Sequence, residues 1–341
     1  MHIKIPKPIS GGLILSYKCN AECKHCMYGC SPKWKADWIS KENIYIILKN
    51  LSDKIEPSPY GREDMNLNYG LHFTGGEPFL NYDLLCESVE IANELEIPST
   101  FVETNCYWAI SDEITKERLY TLRAKGLSGI LISVNPFFLE YVPFDRTERA
   151  IRISQEIFGH NVMVYQFEYY RKFKRLGIKE KMAFNDYLEI EKGQDFARNV
   201  EFFIMGRAAY RIDTYNIFPK YKAEYFLRDE CRPSFIRNWH NHFDNYGNFI
   251  PGYCGGLSLG DCRELDILLE EGLNPQEYPI LAYIVNNDFK GLLSFSGIYG
   301  YIEKQEGYLS KCHLCIDIRK YLIEKDEFRE LKPKEFYLHI V

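Results

Sequence analysis

The sequence predicts an α/β chain, a partial, open (β/α)6 barrel followed by a small cysteine-rich C-terminal unit. Short apolar runs alternate with stretches at helical spacing from about residue 10 to about residue 215, the pattern of parallel strands joined by helices. Six such units can be counted, too few for a complete eight-fold barrel. After about residue 225 the texture changes to Gly, Asn, Cys and aromatic residues with weak periodicity. The expected units are therefore 10–215 and 225–330.

Each element has its own warrant. Leu13-Ile14-Leu15-Ser16 reads as the first strand, and Ser40 can cap a helix whose apolar positions Ile44, Ile47, Leu48, Leu51 and Ile55 follow the 3.6 period. Leu71-His72-Phe73 reads as the second strand, with Leu84, Leu85, Val89, Ala92 and Leu95 on one face of the next helix. Phe101-Val102-Glu103-Thr104 is the third strand, and the following helix runs from a Ser111 cap to a Gly126 stop. Residues 130–134 form the fourth strand, followed by a helix from Asp145 to Phe158 that Gly159 closes. Val162-Met163-Val164-Tyr165 and Phe202-Phe203-Ile204-Met205 read as the last two strands. Residues 166–193 mix Tyr169, Tyr170 and Phe173 with Arg171, Lys172, Lys174 and Arg175, as a solvated helix with core aromatics or a substrate-facing insertion would.

The 341 residues carry a formal charge of −6 with no recurrent Lys/Arg block, which argues against nucleic acid as a partner. The N-terminus lacks the apolar stretch of a signal peptide, and no run approaches a membrane span, so a cytoplasmic protein with no membrane partner is expected. In a reducing compartment, 11 cysteines point to metal or cluster binding rather than disulfides.

Cys19, Cys23 and Cys26 lie in the run CNAECKHC. This spacing puts three thiolates on one short loop, where they can hold three irons of a cubane cluster and leave the fourth open for small-molecule chemistry. A structural zinc, with His25 or Cys30 as its fourth ligand, is the competing reading. Downstream, Thr74-Gly75-Gly76-Glu77-Pro78 ends the second strand in a tight turn.

Together the two segments resemble the radical S-adenosylmethionine (SAM) family. The resemblance implies that SAM binds the open iron of a 4Fe–4S cluster and is cleaved reductively to a 5′-deoxyadenosyl radical, which abstracts a hydrogen atom. It implies that Gly75, Gly76 and Glu77 receive the methionyl end, Glu77 by complementing the ammonium. Thr104 and Asn105, where Cys106 stands in for the family glycine, and Ser133 with Asn135 match positions near the ribose. Met205-Gly206-Arg207-Ala208 resembles the Gly-Arg-Ala segment, which places Gly206 and Arg207 beside the adenine. A flavodoxin- or ferredoxin-type electron donor is implied as well.

Cys231, Cys254, Cys262, Cys312 and Cys315 resemble the auxiliary-cluster domains of the SPASM/twitch branch, without the cysteines that full SPASM carries after its last pair. A second 4Fe–4S cluster is therefore expected on Cys231, Cys254, Cys312 and Cys315, with Cys262 as the substitute ligand and zinc as the alternative. His240 and His242 read as hydrogen-bonded core or surface residues rather than ligands, and Cys86 as a core residue. The layout is similar to radical SAM peptide epimerases, some of which use a thiol to return a hydrogen atom. That similarity nominates Cys106, Cys30 and Cys262 as donors. The branch mostly modifies peptides and proteins, so a peptide or protein substrate leads, with residues 166–193 and 239–253 as possible docking surfaces. The same chemistry on a small metabolite and a non-catalytic Fe–S or zinc protein are the alternatives.

Overall fold

The computed structural model describes all residues except 1, 36, 191–196, 198–199 and 326. Its centre is one seven-stranded sheet in the order β5-β4-β3-β2-β1-β6-β7. The strands are β1 (Ser10–Ile14), β2 (Gly70–Thr74), β3 (Phe101–Thr104), β4 (Gly129–Ser133), β5 (Val162–Tyr165), β6 (Asn241–Phe243) and β7 (Phe249–Ile250). Every pairing is parallel except β6 with β7. Parallel strands need both faces covered, and β1 and β2 are buried along their whole length.

The crossover helices form where the apolar period places them. Helix α1 (Lys41–Leu51) starts at Ser40, whose side chain accepts from the Asn43 amide, and buries Ile44, Ile47, Leu48 and Leu51. Helices α2 (Tyr82–Glu94) and α3 (Asp112–Ala124) are likewise capped by the Asn81 and Ser111 side chains. Helix α4 (Phe144–Phe158) ends at Gly159 with φ 63°, a conformation that glycine adopts without Cβ strain. Helix α5 (Phe167–Arg175) buries Tyr169 and Phe173, and the turns at Phe184–Ile190 bury Phe184 and Tyr187. Tyr169, Phe173, Phe184 and Tyr187 thus serve the core while Phe167 stays exposed, and the docking surface expected at 166–193 runs on to Gly193, which lies outside the described residues.

One expectation about strands is corrected. Residues 202–205 form no strand, because their backbone groups are used elsewhere: the Met205 amide donates to Phe203 O at 3.0 Å, and Ile204 O accepts from the Ser310 hydroxyl at 2.6 Å. The sixth parallel strand is β6 instead, added on the other side of β1. Residues 239–253, expected as a docking surface, are largely buried in the β6–β7 hairpin. One hydrophobic core joins barrel residues such as Leu13 and Phe73 to Leu281 and Leu314 of the C-terminal region. Helix α6 (Lys311–Leu322), capped by Ser310, closes that region. Among the described residues no helix is long and apolar enough to cross a membrane.

Candidate functional site

Beyond β1 the chain enters a loop that is closed on itself. The Cys19 amide donates to Ser31 O at 3.3 Å, and the Ser31 amide donates to Tyr17 O at 3.2 Å. Inside it, the Ala21 amide points at Cys19 Sγ (3.4 Å) and the Cys30 amide at Cys26 Sγ (3.3 Å). Hydrogen bonds to sulfur favour the thiolate that a cluster needs.

Arg207 fixes this loop from behind. Its buried guanidinium donates to Cys23 O at 3.0 Å, Gly29 O at 2.7 Å, Cys30 O at 2.9 Å and, from the far end of the chain, His339 O at 2.7 Å. The Arg207 and Cys26 backbones also meet, N to O at 3.0 Å, and a Cβ at Gly206 would lie 2.5 Å from Met27 O. Gly206 and Arg207, expected beside the adenine, thus lie behind the loop and outside the cavity lining, with the Arg207 guanidinium donating to three loop carbonyls and to His339 O. The Cys26 thiol is held down at about 6 by the hydrogen bond from the Cys30 thiol, with the Arg207 charge assisting. Burial pushes Cys23 up.

The cavity lies at the C-terminal ends of the parallel strands. Cys19, Cys23 and Cys26 form one wall, and Gly75, Gly76, Thr104, Asn105, Ser133 and Asn135 line it from the ends of β2, β3 and β4. Gly76 seats directly on the β1 exit, its amide donating to Ser16 O at 2.8 Å, and a Cβ there would overlap Lys18 O. Asn135 caps the turn after β4 through its Oδ1, and its Nδ2 donates to His25 Nε2 at 2.9 Å. That bond makes Nδ1 the protonated nitrogen of His25, and this buried atom has no partner. Burial and the nearby Arg207 charge hold His25 at about 3, so the ring is neutral.

Glu77, expected to meet an ammonium group, lies just behind the cavity lining, next to Gly76. Its carboxylate is enclosed, accepting from the Thr104 hydroxyl (2.9 Å), the Asn105 amide (2.8 Å) and the Phe79 amide (3.2 Å), and so ties β2 to the end of β3. Burial pushes it up from 4.5 to about 7 against those three bonds. The folded state therefore holds this proton more tightly than the unfolded chain. Its contribution is complete below about pH 4 and is lost as the pH rises through 7, a change of about 3 kcal/mol. Glu77→Gln should remove this dependence. Urea unfolding at pH 4 and pH 8 should show the variant gaining on the parent by about that amount, and parallel profiles would refute the assignment.

Of the three nominated donor thiols, only Cys30 lines the cavity, and it packs against Cys26. Cys106 is fully buried in a turn with φ 66°, a left-handed conformation natural to the glycine it stands in for. Cys262 is buried where α1 meets the β6–β7 hairpin, its amide on Gly247 O and its carbonyl near the Asn50 amide.

A second, smaller cavity gathers Cys231, Cys254, Cys312 and Cys315, and Cys262 is not part of it. Cys312 and Cys315 lie in the first turns of α6, where the helix dipole favours thiolates. Burial, then the other thiols, pushes Cys312 up to about 12, and Cys231 is pushed to about 11. The buried Arg319 lines the same cavity; its Nη1 donates to Gly255 O at 3.0 Å, while its Nε has no partner. Gly206 also lines this cavity, so it stands between the two cysteine groups. Sequence reading did not single out Arg319, offered His25 only as a zinc ligand, and gave the cavity residues Glu103 and His242 no role there.

The fold and site define an α/β protein with a triple-cysteine loop at the mouth of a strand-end cavity. No protein-family model matches the chain. A relative from Bacillus subtilis (strain 168), described as "Putative peptide biosynthesis protein YydG", is 26% identical over 146 residues, 42% of this chain and 40% of that protein. The match thus spans well under two thirds of the relative's length. The chain is also similar to native anSMEcpe with bound AdoMet (13% identity, 93% of this chain and 98% of that chain, TM-score 0.47). A second solved structure is Streptococcus suis SuiB bound to S-adenosylmethionine (15% identity, 84% and 74%, TM-score 0.45). Likeness at these scores is too loose to transfer any residue. The cysteine loop and the glycine turn are the features by which the chain resembles the radical SAM superfamily.

Proposed function

We propose that the protein is a radical SAM enzyme that modifies a peptide or protein. The observation that carries this reading is the convergence of Cys19, Cys23 and Cys26 with Gly75, Gly76, Asn105, Ser133 and Asn135 on one strand-end cavity. The residues fit the cofactor pair. Three sulfurs share the cavity wall, Gly76 leaves no side chain at the β1 exit, and the partnerless His25 Nδ1–H belongs to a ring that lines the space. Cys19, Cys23 and Cys26 would hold a 4Fe–4S cluster, and the polar groups ending β2, β3 and β4 would hold SAM. When both are bound and the cluster is reduced, they supply a 5′-deoxyadenosyl radical able to take a hydrogen atom from unactivated carbon.

The chain's own contribution is positional. Arg207 holds the loop carbonyls, amide hydrogens face the Cys19 and Cys26 sulfurs, and Asn105 Nδ2 bridges to Asn20 Oδ1 at 2.9 Å beside Cys19. The peptide substrate is supported by the description of the Bacillus relative. Cys231, Cys254, Cys312 and Cys315 are proposed as ligands of a second cluster, with Arg319 offsetting its negative charge. Zinc is the alternative occupant of both groups, and the iron count below separates the two. Of the nominated hydrogen donors, Cys30 is retained because it alone reaches the cavity.

The test is anaerobic reconstitution with iron and sulfide, an iron count, reduction, addition of SAM and assay of 5′-deoxyadenosine. About eight irons per chain with 5′-deoxyadenosine formed are expected. A reducible cluster on intact Cys19, Cys23 and Cys26 that yields no 5′-deoxyadenosine would overturn the enzymatic reading.

A further inference from the structure

Strand register brings three imidazoles together across β1. Gly12 in β1 is the partner of both His72 in β2 and His242 in β6. Partners in register project to the same face of a sheet, and at Gly12 no side chain stands between them. A Cβ there would overlap His72 Nε2 and come within 2.8 Å of His242 Cδ2, so the missing side chain is the space the two rings share. His240, two residues before His242, adds the third ring. Ligand nitrogens of all three lie within 4.8 Å of one another, and all three residues are buried.

The hydrogen bonds around the rings have the form that metal ligands need. His240 Nδ1 lies 2.7 Å from Leu67 O and His242 Nδ1 lies 2.9 Å from Gly252 O. A carbonyl oxygen only accepts, so both Nδ1 atoms carry the hydrogen; the Tyr28 hydroxyl, also 2.9 Å from His242 Nδ1, donates in turn to Gly252 O, and both Nε2 atoms keep their lone pairs. A backbone carbonyl on the outer nitrogen is the usual device that orients a ligating histidine. His72 Nε2 lies 3.3 Å from His242 Nε2. Two nitrogens bound to one tetrahedral zinc at about 2.0–2.1 Å stand about 3.3–3.4 Å apart. Glu103 Oε1 is 3.6 Å from His72 Nε2, and the Thr74 hydroxyl anchors the other carboxylate oxygen at 2.6 Å.

We propose that His72, His240 and His242, completed by Glu103, bind one divalent cation of the zinc class. The donors are nitrogen and oxygen only, which separates this site from both cysteine groups. His240, His242 and Glu103 also line the large cavity, so the ion sits in its wall, within reach of a carbonyl or carboxylate of a molecule bound there.

The test uses the full chain with its iron reconstituted, given one equivalent of zinc sulfate and then gel-filtered. Metal analysis should find about one zinc per chain. X-ray absorption at the zinc edge should show a shell of nitrogen and oxygen at about 2.0–2.1 Å without sulfur at 2.3 Å. Glu103→Gln, which keeps its shape, should weaken zinc binding at least tenfold, and His242→Gln should abolish it, with the iron count unchanged in both. Zinc absent from the parent protein, or zinc with a sulfur shell, overturns the site whatever the variants do. Because iron is counted separately, loss of the zinc site and failure of the radical reading give different results.

Discussion

Arg207→Ala should give a chain that no longer holds the cysteine loop in place. Arg207 is almost fully buried and donates to four carbonyl oxygens, three in the loop and one at His339. Hydrogen bonds from a charged donor contribute about 1.5–3 kcal/mol each, and the carbonyls left behind would be unsatisfied. The expected loss is about 5 kcal/mol or more, a large part of the stability of an ordinary domain. Arg207→Lys should rescue little, because one ammonium cannot reproduce a planar fork reaching carbonyls on several sides. The measurement is a thermal melt beside the iron count after reconstitution. Both variants should melt earlier and retain less iron. Parent-like iron in Arg207→Ala would show that the loop holds its shape unaided.

Arg207 also shows what sequence could and could not reveal. The Gly-Arg-Ala segment was visible, but the bonds that Arg207 makes were not, because its partners at residues 23, 29, 30 and 339 are known only once the chain has folded. The first five strands were legible to within about three residues, since each is an apolar run followed by helical spacing. The sixth was misplaced for a physical reason. Phe202-Phe203-Ile204-Met205 is apolar enough to read as a strand but spends its backbone on a turn and on Ser310. Asn241-His242-Phe243, three residues long and polar at two, gives no strand signal and yet pairs with β1. Cysteine spacing named the Cys19, Cys23 and Cys26 loop and the Cys312/Cys315 pair because a short loop or a helical turn is local, whereas Cys231 and Cys254 came from the resemblance alone. The histidine cluster depends on register between strands 170 residues apart, which no local pattern contains.

The paired replacement Cys312→Ser with Cys315→Ser should have the second large effect. Two of the four thiols in the smaller cavity would be gone, and two remaining ligands cannot hold a cubane. Iron should fall from about eight to about four per chain, while 5′-deoxyadenosine formation at the first cluster gives an independent check that the barrel survives. The melt should fall too, because cluster binding contributes folding energy to the region it closes. Arg319 would add to the loss: it is buried against these sulfurs, and removing the partners of a buried charge costs about 3–5 kcal/mol. Cys262→Ala is the control that separates cluster loss from loss of any buried cysteine. Cys262 is more deeply buried than Cys312 or Cys315 and lies between α1 and the β6–β7 hairpin, outside their cavity. It should lower the melt modestly and leave all the iron in place. If the Cys312/Cys315 variant keeps the parent's iron and melting point, the four cysteines are ordinary core thiols, and the energetic role given to Arg319 falls with them.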